Sequence, residues 1–133
     1  FLVLLFCLPW FIWLYLNNKA KSNNVPRVKA YNAYNAATFY LNQLGIKRDN
    51  QSPQQFAETT DKHFGTNFNQ FTNVYQKIKY SKTPLLTKET ALVENFYSPF
   101  ISQVKNNIPF KKRFSSFLNI YNTLHFFTKT KTT

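Results

Sequence analysis

Residues Phe1 to Leu16 read FLVLLFCLPWFIWLYL, a run without one charged or strongly polar side chain. Nothing else in the chain narrows its folds as much. A bilayer core takes a helix of about 20 apolar residues. Trp10, Trp13 and Tyr15 crowd the right-hand end of the run, where amphipathic rings favour the headgroup level. Lys19, Lys21, Arg27 and Lys29 follow at once, and no acid precedes Asp49. A signal-peptide core carries its positive charges before the run and a small-residue cleavage site after it. Here the charges come after, and no Ala-x-Ala-like site follows. A core helix this apolar is hard to cover within so small a domain. The run therefore reads as a transmembrane helix over 1–16, with membrane lipid as its partner and a kink expected at Pro9. The excess of lysine and arginine after it places the remainder in the cytoplasm. The chain starts at Phe1 and holds no Met, which reads as a processed product or a fragment with its true start upstream.

Behind the apolar run the pattern is helical throughout, so the expected fold class is all-α: one membrane helix and a domain of about four to five helices. Residues 17–29 read as a basic juxtamembrane linker, 30–127 as the helical domain and 128–133 as a disordered basic tail. Tyr34, Ala37, Leu41 and Leu44 recur at three and four residues, and Gly45 stands where a left-handed residue closes a helix. Ser52-Pro53-Gln54-Gln55 offers an N-cap serine, a proline at the first helical position and a glutamine at the third, a capping box. Phe56, Ala57, Thr60 and Phe64 continue that helix to Gly65. A third runs from Asn67 to Tyr80. Thr87 is expected to cap a fourth, with Glu89 suited to the positive end of its dipole and Pro99 expected to kink or break it. After Pro109, one further helical segment carries Phe114, Phe117, Leu118, Tyr121, Leu124 and His125. Fifteen Phe and eight Tyr supply the bulk of a core without staples. The only cysteine, Cys7, lies in the apolar run and excludes a disulfide within one chain.

The net charge of +12 is unevenly spread. Six Lys or Arg and no acid fall in 17–48, and six more with no acid in 105–131. Between them, 49–94 holds all five acids and five lysines. If the two basic ends share one side of the domain, that surface faces an anionic leaflet, worth about 1 kcal/mol per Lys or Arg. Lys105, Lys111, Lys112, Arg113, Phe114 and Phe117 are thus the candidate contacts for lipid or a partner, set against a merely solvated basic face. Three of these cations oppose the dipole of the helix they open. Nucleic acid is the rival partner for a basic aromatic chain, disfavoured because the rings fall at helical core positions and no recognition module is present.

Chemistry-bearing residues are sparse. His63 and His125 lie 62 positions apart without cysteine partners, a poor start for a metal site. Ser115 or Ser116 could meet His125, but nothing orients such a base. Glu58 and Asp61 share a helix face and read as solvated. Gly45 and Gly65 are isolated, so no phosphate loop is possible. The reading is of a non-enzyme with no cofactor, no metal and no small-molecule substrate.

The runs YLNQLGIKRDNQSPQQFA and FNQFTNVYQKIKYS complete the picture. They resemble the uncharacterised C-terminal cytoplasmic domain of many bacterial membrane proteins, often found downstream of a transglutaminase-like domain. The resemblance covers residues 31–98. Its first motif is Ser52, Pro53, Gln55, Phe56 and Ala57; its second is Tyr75, Tyr80 and Ser81, where glycine is usual in place of Ser81. The basic segment 105–133 extends beyond the common pattern. The resemblance implies a membrane helix just before the domain, no catalytic residues in this region and a bacterial inner-membrane location.

Two functions follow as expectations. One is a membrane-anchored interaction module, an accessory subunit docking other subunits of a membrane complex. It requires aromatics beyond the needs of the core, so burial of Phe110, Phe114, Phe117 and Phe126 together would count against it. The other is the cytoplasmic regulatory tail of a larger membrane enzyme or transporter whose active part lies upstream of Phe1. A third reading lays residues 110–127 flat on lipid as an amphipathic helix.

Overall fold

The computed structural model describes residues 2–22, 25–48 and 50–130. These form seven helices and no strand: α1 (Leu2–Ser22), α2 (Pro26–Gln43), α3 (Pro53–Phe64), α4 (Phe68–Tyr80), α5 (Thr87–Asn106), α6 (Phe110–Ser116) and α7 (Ile120–Thr130). The all-α class is as expected, with more helices than the pattern suggested. Phe1, Asn23, Asn24, Asp49 and 131–133 lie outside the described residues, and with them parts of the expected linker and tail. What is described of 17–29 is mostly helical, and α7 continues to Thr130.

α2 is the hub. Ala30, Ala33, Ala36 and Ala37 are fully buried, and their small side chains let α1, α4, α5 and α7 approach its backbone. Its end is a Schellman turn: Ile46 N–H donates to Leu41 O at 2.9 Å and Gly45 N–H to Asn42 O at 3.0 Å. That turn needs a left-handed residue after the cap, and Gly45 supplies it at φ +88°. The capping box at α3 forms as its residues dictate. Gln55 N–H donates to Ser52 Oγ, and Ser52 N–H to Gln55 Oε1. Gly65, at φ +68°, closes the helix.

Asp61 is no solvated acid. Its carboxylate accepts from Phe68 N–H at 2.7 Å, Asn69 N–H at 2.8 Å and the Thr66 hydroxyl, satisfying donors at the start of α4 that have no partner within that helix. At the far end of α4, Arg27 reaches over from α2 and donates to Thr83 O at 2.8 Å. α5 starts one residue earlier than expected: Leu86 is the cap residue, and its N–H donates to Glu89 Oε1. The helix runs unbroken through Pro99. Pro99 is exposed, so water can satisfy the Asn95 carbonyl left without its helical donor, while Phe96 and Phe100 stay packed.

The core of the α3–α4–α5 end is aromatic. Phe71 and Phe96 stack at 3.9 Å and 5°, and Phe68 packs on Phe56, Phe96 and Phe100. Beside it Tyr75 stacks on Tyr34 at 4.0 Å, with Tyr31 edge-on. Burial first, and then the neighbouring phenols Tyr34 and Tyr31, push the Tyr75 hydroxyl up to about 12.

The segment after Pro109 is two helices, not one. Gln43, fully buried at the end of α2, donates through Nε2 to Ser116 O at 2.8 Å and Asn119 O at 2.7 Å. Its Oε1 accepts from the Thr123 hydroxyl at 2.9 Å, and Asn42 donates to Asn122 O at 2.6 Å. Carbonyls that a continuous helix would engage internally are thus claimed from outside. Asn119 then caps α7 with its side chain on Asn122 N–H.

Candidate functional site

α1 divides along its length. By length and composition it is the one helix among the described residues able to cross a membrane. Yet its C-terminal half belongs to the bundle. Trp13 is buried, 4.6 Å from the Tyr40 ring and 6.1 Å from Phe117. Asn17 accepts from the Tyr97 hydroxyl at 2.7 Å, Lys19 O accepts from Asn32, and Ala20 is wholly enclosed. Burial, together with the nearby Tyr40, raises the pKa of Tyr97, so that hydroxyl remains a donor at neutral pH. The N-terminal half is different. Leu2, Val3, Leu4, Phe6 and Phe11 are exposed, with only Pro9 buried among residues 2–12.

The rings expected at the lipid boundary therefore separate. Trp10 is half-buried, 5.0 Å from Phe117 and 6.3 Å from Phe114. Tyr15 is exposed with the Lys19 ammonium over its face, and Lys21 is exposed. Trp13 is corrected to a bundle residue. In an all-apolar run no polar face marks which side meets protein, so periodicity cannot separate Trp13 from its neighbours.

The expected contact residues separate as well. Phe117 is buried between Trp10, Trp13 and Tyr40, a correction whose cause is packing by the distant α1 and α2, which the pattern of its own polar segment does not show. Phe110 and Phe114 are exposed, stacked on each other at 6.2 Å, and Phe126 packs edge-on against Phe39. Of the four rings whose joint burial would have argued against an interaction surface, two remain outside. Lys105, Lys111 and Lys112 are exposed and Arg113 is half-buried, with its guanidinium 5.6 Å over the Phe110 ring. The motif residues have structural work: Ser52, Pro53 and Gln55 start α3, Phe56 and Tyr75 are core, and Tyr80 is exposed under Lys79.

α1, α2, α5 and α6 line a partly open cavity of about 80 Å³. Trp10, Trp13, Tyr40 and Phe117 form its aromatic side, and Lys105 and Arg113 line it as well. Arg113 Nε is buried there without a hydrogen-bond partner. Partial burial, the Arg113 charge and the Lys21 charge together lower the pKa of Lys105. Lys21, on α1, adds a charge that Lys105 feels, while the two cations lining the cavity both come from the C-terminal basic segment.

Among the described residues no three His, Cys, Asp or Glu side chains converge as a metal site would need. His63 is exposed beside Phe64, and His125 lies half-buried on α7. Compared with protein-family models, curated proteins and solved structures, the chain matches none. The likeness carried by the Ser52 and Tyr75 motifs thus rests on those residues alone.

Proposed function

We propose that this chain is a non-catalytic, membrane-anchored interaction module, an accessory subunit of a membrane assembly. Its bundle hangs on the cytoplasmic side of a single pass through a bacterial inner membrane. The observation that carries this reading is the continuity of exposed apolar surface from Leu2–Phe11 onto Phe110 and Phe114, beside an aromatic core already complete. Such surface in water costs about 25 cal/mol per Å², and a patch spread over two helices marks a membrane or protein interface. The burial of Trp13 and Ala20 supports a retained anchor, since cleavage behind α1 would strip two residues from the core. In this reading lipid begins on the N-terminal side of Trp13, near Trp10, and the residues before Trp10 supply only part of the about 20 that a bilayer core takes. Tyr121 and Leu124, exposed on α7, offer the face for a protein subunit.

Topology and partner are tested together. With Cys7→Ser as background, Ser115→Cys should react with a membrane-impermeant maleimide in inverted vesicles and not in intact cells. The unsubstituted chain should resist alkaline extraction. A photo-crosslinker at Leu124 should trap one membrane protein that survives detergent purification, and Tyr121→Lys with Leu124→Lys should release it. Alkaline extraction into the soluble fraction, or labelling in intact cells, would overturn the reading. Deleting 105–133 is not a clean probe, because Phe117, Asn122 and Thr123 are buried.

A further inference from the structure

Lys105 and Arg113 are placed as no merely solvated pair would be. Both line the cavity between α1, α5 and α6, against the rings of Trp10, Trp13 and Phe117. Among the described residues the one ion pair is Lys77–Glu89, at 2.7 Å, so neither cation has a carboxylate partner. Glu58 and Asp61 sit on α3, and Glu89 and Glu94 in the first half of α5, all remote in sequence from this seam. The Arg113 side chain is held over Phe110 with the Tyr40 hydroxyl beside its guanidinium, and its Nε is buried without an acceptor. A guanidinium carries five donors in a rigid fork matched to carboxylate or phosphate oxygens. An orphaned buried donor costs free energy that an anion would recover. A volume of about 80 Å³ exceeds the roughly 30 Å³ share of one liquid water and has room for a small tetrahedral oxyanion.

The position of the cavity names the source of that anion. Trp10 lines it, and on the turn before it Leu8 and Phe6 are exposed and apolar, with Cys7 half-buried and Pro9 buried between them and the bundle. Phe114 lines it from α6, beside exposed Phe110. If lipid begins near Trp10, as the proposed function holds and on which this inference rests, the cavity lies at headgroup depth. Trp10 and Phe114 are then set to meet the glycerol and upper acyl chain, with the cations behind them.

We propose that the α1–α5–α6 cavity binds the phosphate of one anionic phospholipid, with the Arg113 fork on its oxygens and Lys105 as the second positive charge. Lys111 and Lys112, exposed and outside the cavity, add only general attraction to an anionic leaflet.

The test uses the full chain in lipid nanodiscs of phosphatidylcholine with increasing phosphatidylglycerol, released from the disc and read by native mass spectrometry. One phosphatidylglycerol should remain bound per chain. Arg113→Gln and Lys105→Gln should each lower its retention about tenfold or more. Arg113→Lys should recover only part of it, because the charge returns without the fork. Lys111→Gln with Lys112→Gln should retain it. Thermal melts of each variant separate lost binding from lost folding, and Lys105→Gln, at an exposed position, keeps the test valid if Arg113→Gln unfolds. Equal retention in wild type and both cavity variants, or equal loss in the Lys111/Lys112 variant, would overturn the site. Inorganic phosphate displacing the lipid at equal concentration would reassign it to a free phosphate. A chain that enters no disc of either composition would overturn the membrane reading instead, whereas entry into both without selective retention would overturn only this site.

Discussion

Phe68, Phe71, Phe96 and Phe100 at the α3–α4–α5 end are at most 2% exposed, whereas Phe6, Phe11, Phe110 and Phe114 at the α1–α6 end are 48–67% exposed. The side chains are identical and their surroundings opposite. At the first end, the residues between the rings are polar or charged, so each helix has a face to turn to water. At the second, α1 has no polar face before Asn17, and α6 is too short to cover it. An amphipathic helix chooses its own inside; a helix apolar all round leaves that choice to whatever solvent surrounds it. The bundle end is thus a closed aromatic core, and the α1–α6 end leaves its rings exposed.

The sharpest way to break this contrast is to truncate one ring from each end. Phe96→Ala removes the ring that stacks on Phe71 and packs on Phe68 and Phe100. It should cost about 3–5 kcal/mol in denaturant melts carried out in detergent. Phe110→Ser should change stability by no more than about 0.5 kcal/mol and weaken vesicle binding instead. Similar losses in both melts would mean that the two ends are one core.

The next effect lies at the seam joining them. Gln43→Leu leaves Ser116 O and Asn119 O without their buried donor, at a cost of roughly 1–3 kcal/mol. Amide exchange should accelerate in α6 and α7 while α3 and α4 keep their protection. A uniform change across the chain would show that the seam does not separate two units. Smaller still, Ser52→Ala removes one half of the α3 capping box and should cost about 1 kcal/mol, confined to the polar-faced end.

The smallest effect is electrostatic. The hydrogen bond from Lys77, then that from Leu86 N–H, hold the Glu89 carboxyl below its usual range. A lowered folded pKa means that the contribution is present above the unfolded value of 4.5 and is lost as the pH falls through the folded value. At this solvent-accessible pair it should amount to less than about 1 kcal/mol and shrink with salt. Lys77→Met should flatten the acid limb of the stability profile between those two pH values. An unchanged acid limb would show that the pair contributes nothing.

Much of the fold was legible because its signals are local. Ser52, Pro53 and Gln55 meet within one turn, and Gly45 and Gly65 occupy left-handed positions that their neighbours define. Asp61 was within reach of the same reasoning, since the donors it satisfies begin only a few residues later. The α6–α7 break was not legible. Its cause, Gln43, lies more than seventy positions away and acts through a side chain with no periodicity to reveal it. Pro99 leaves α5 unbroken at an exposed position, and that exposure is again a property of the packing.

By itself, the sequence determined that this chain is helical, where α2, α3 and α4 begin and end, that its first helix is apolar enough for a bilayer, and that its charge gathers at two ends. These follow from caps, periods and composition, each acting over a few residues. Only the tertiary structure decided that Trp13 and Phe117 are core, that Trp10 and Phe114 remain at the edge, and that Lys105 and Arg113 line one cavity with the α1 rings. Which side of an apolar helix meets protein, and which cations become neighbours, depends on how distant helices cross.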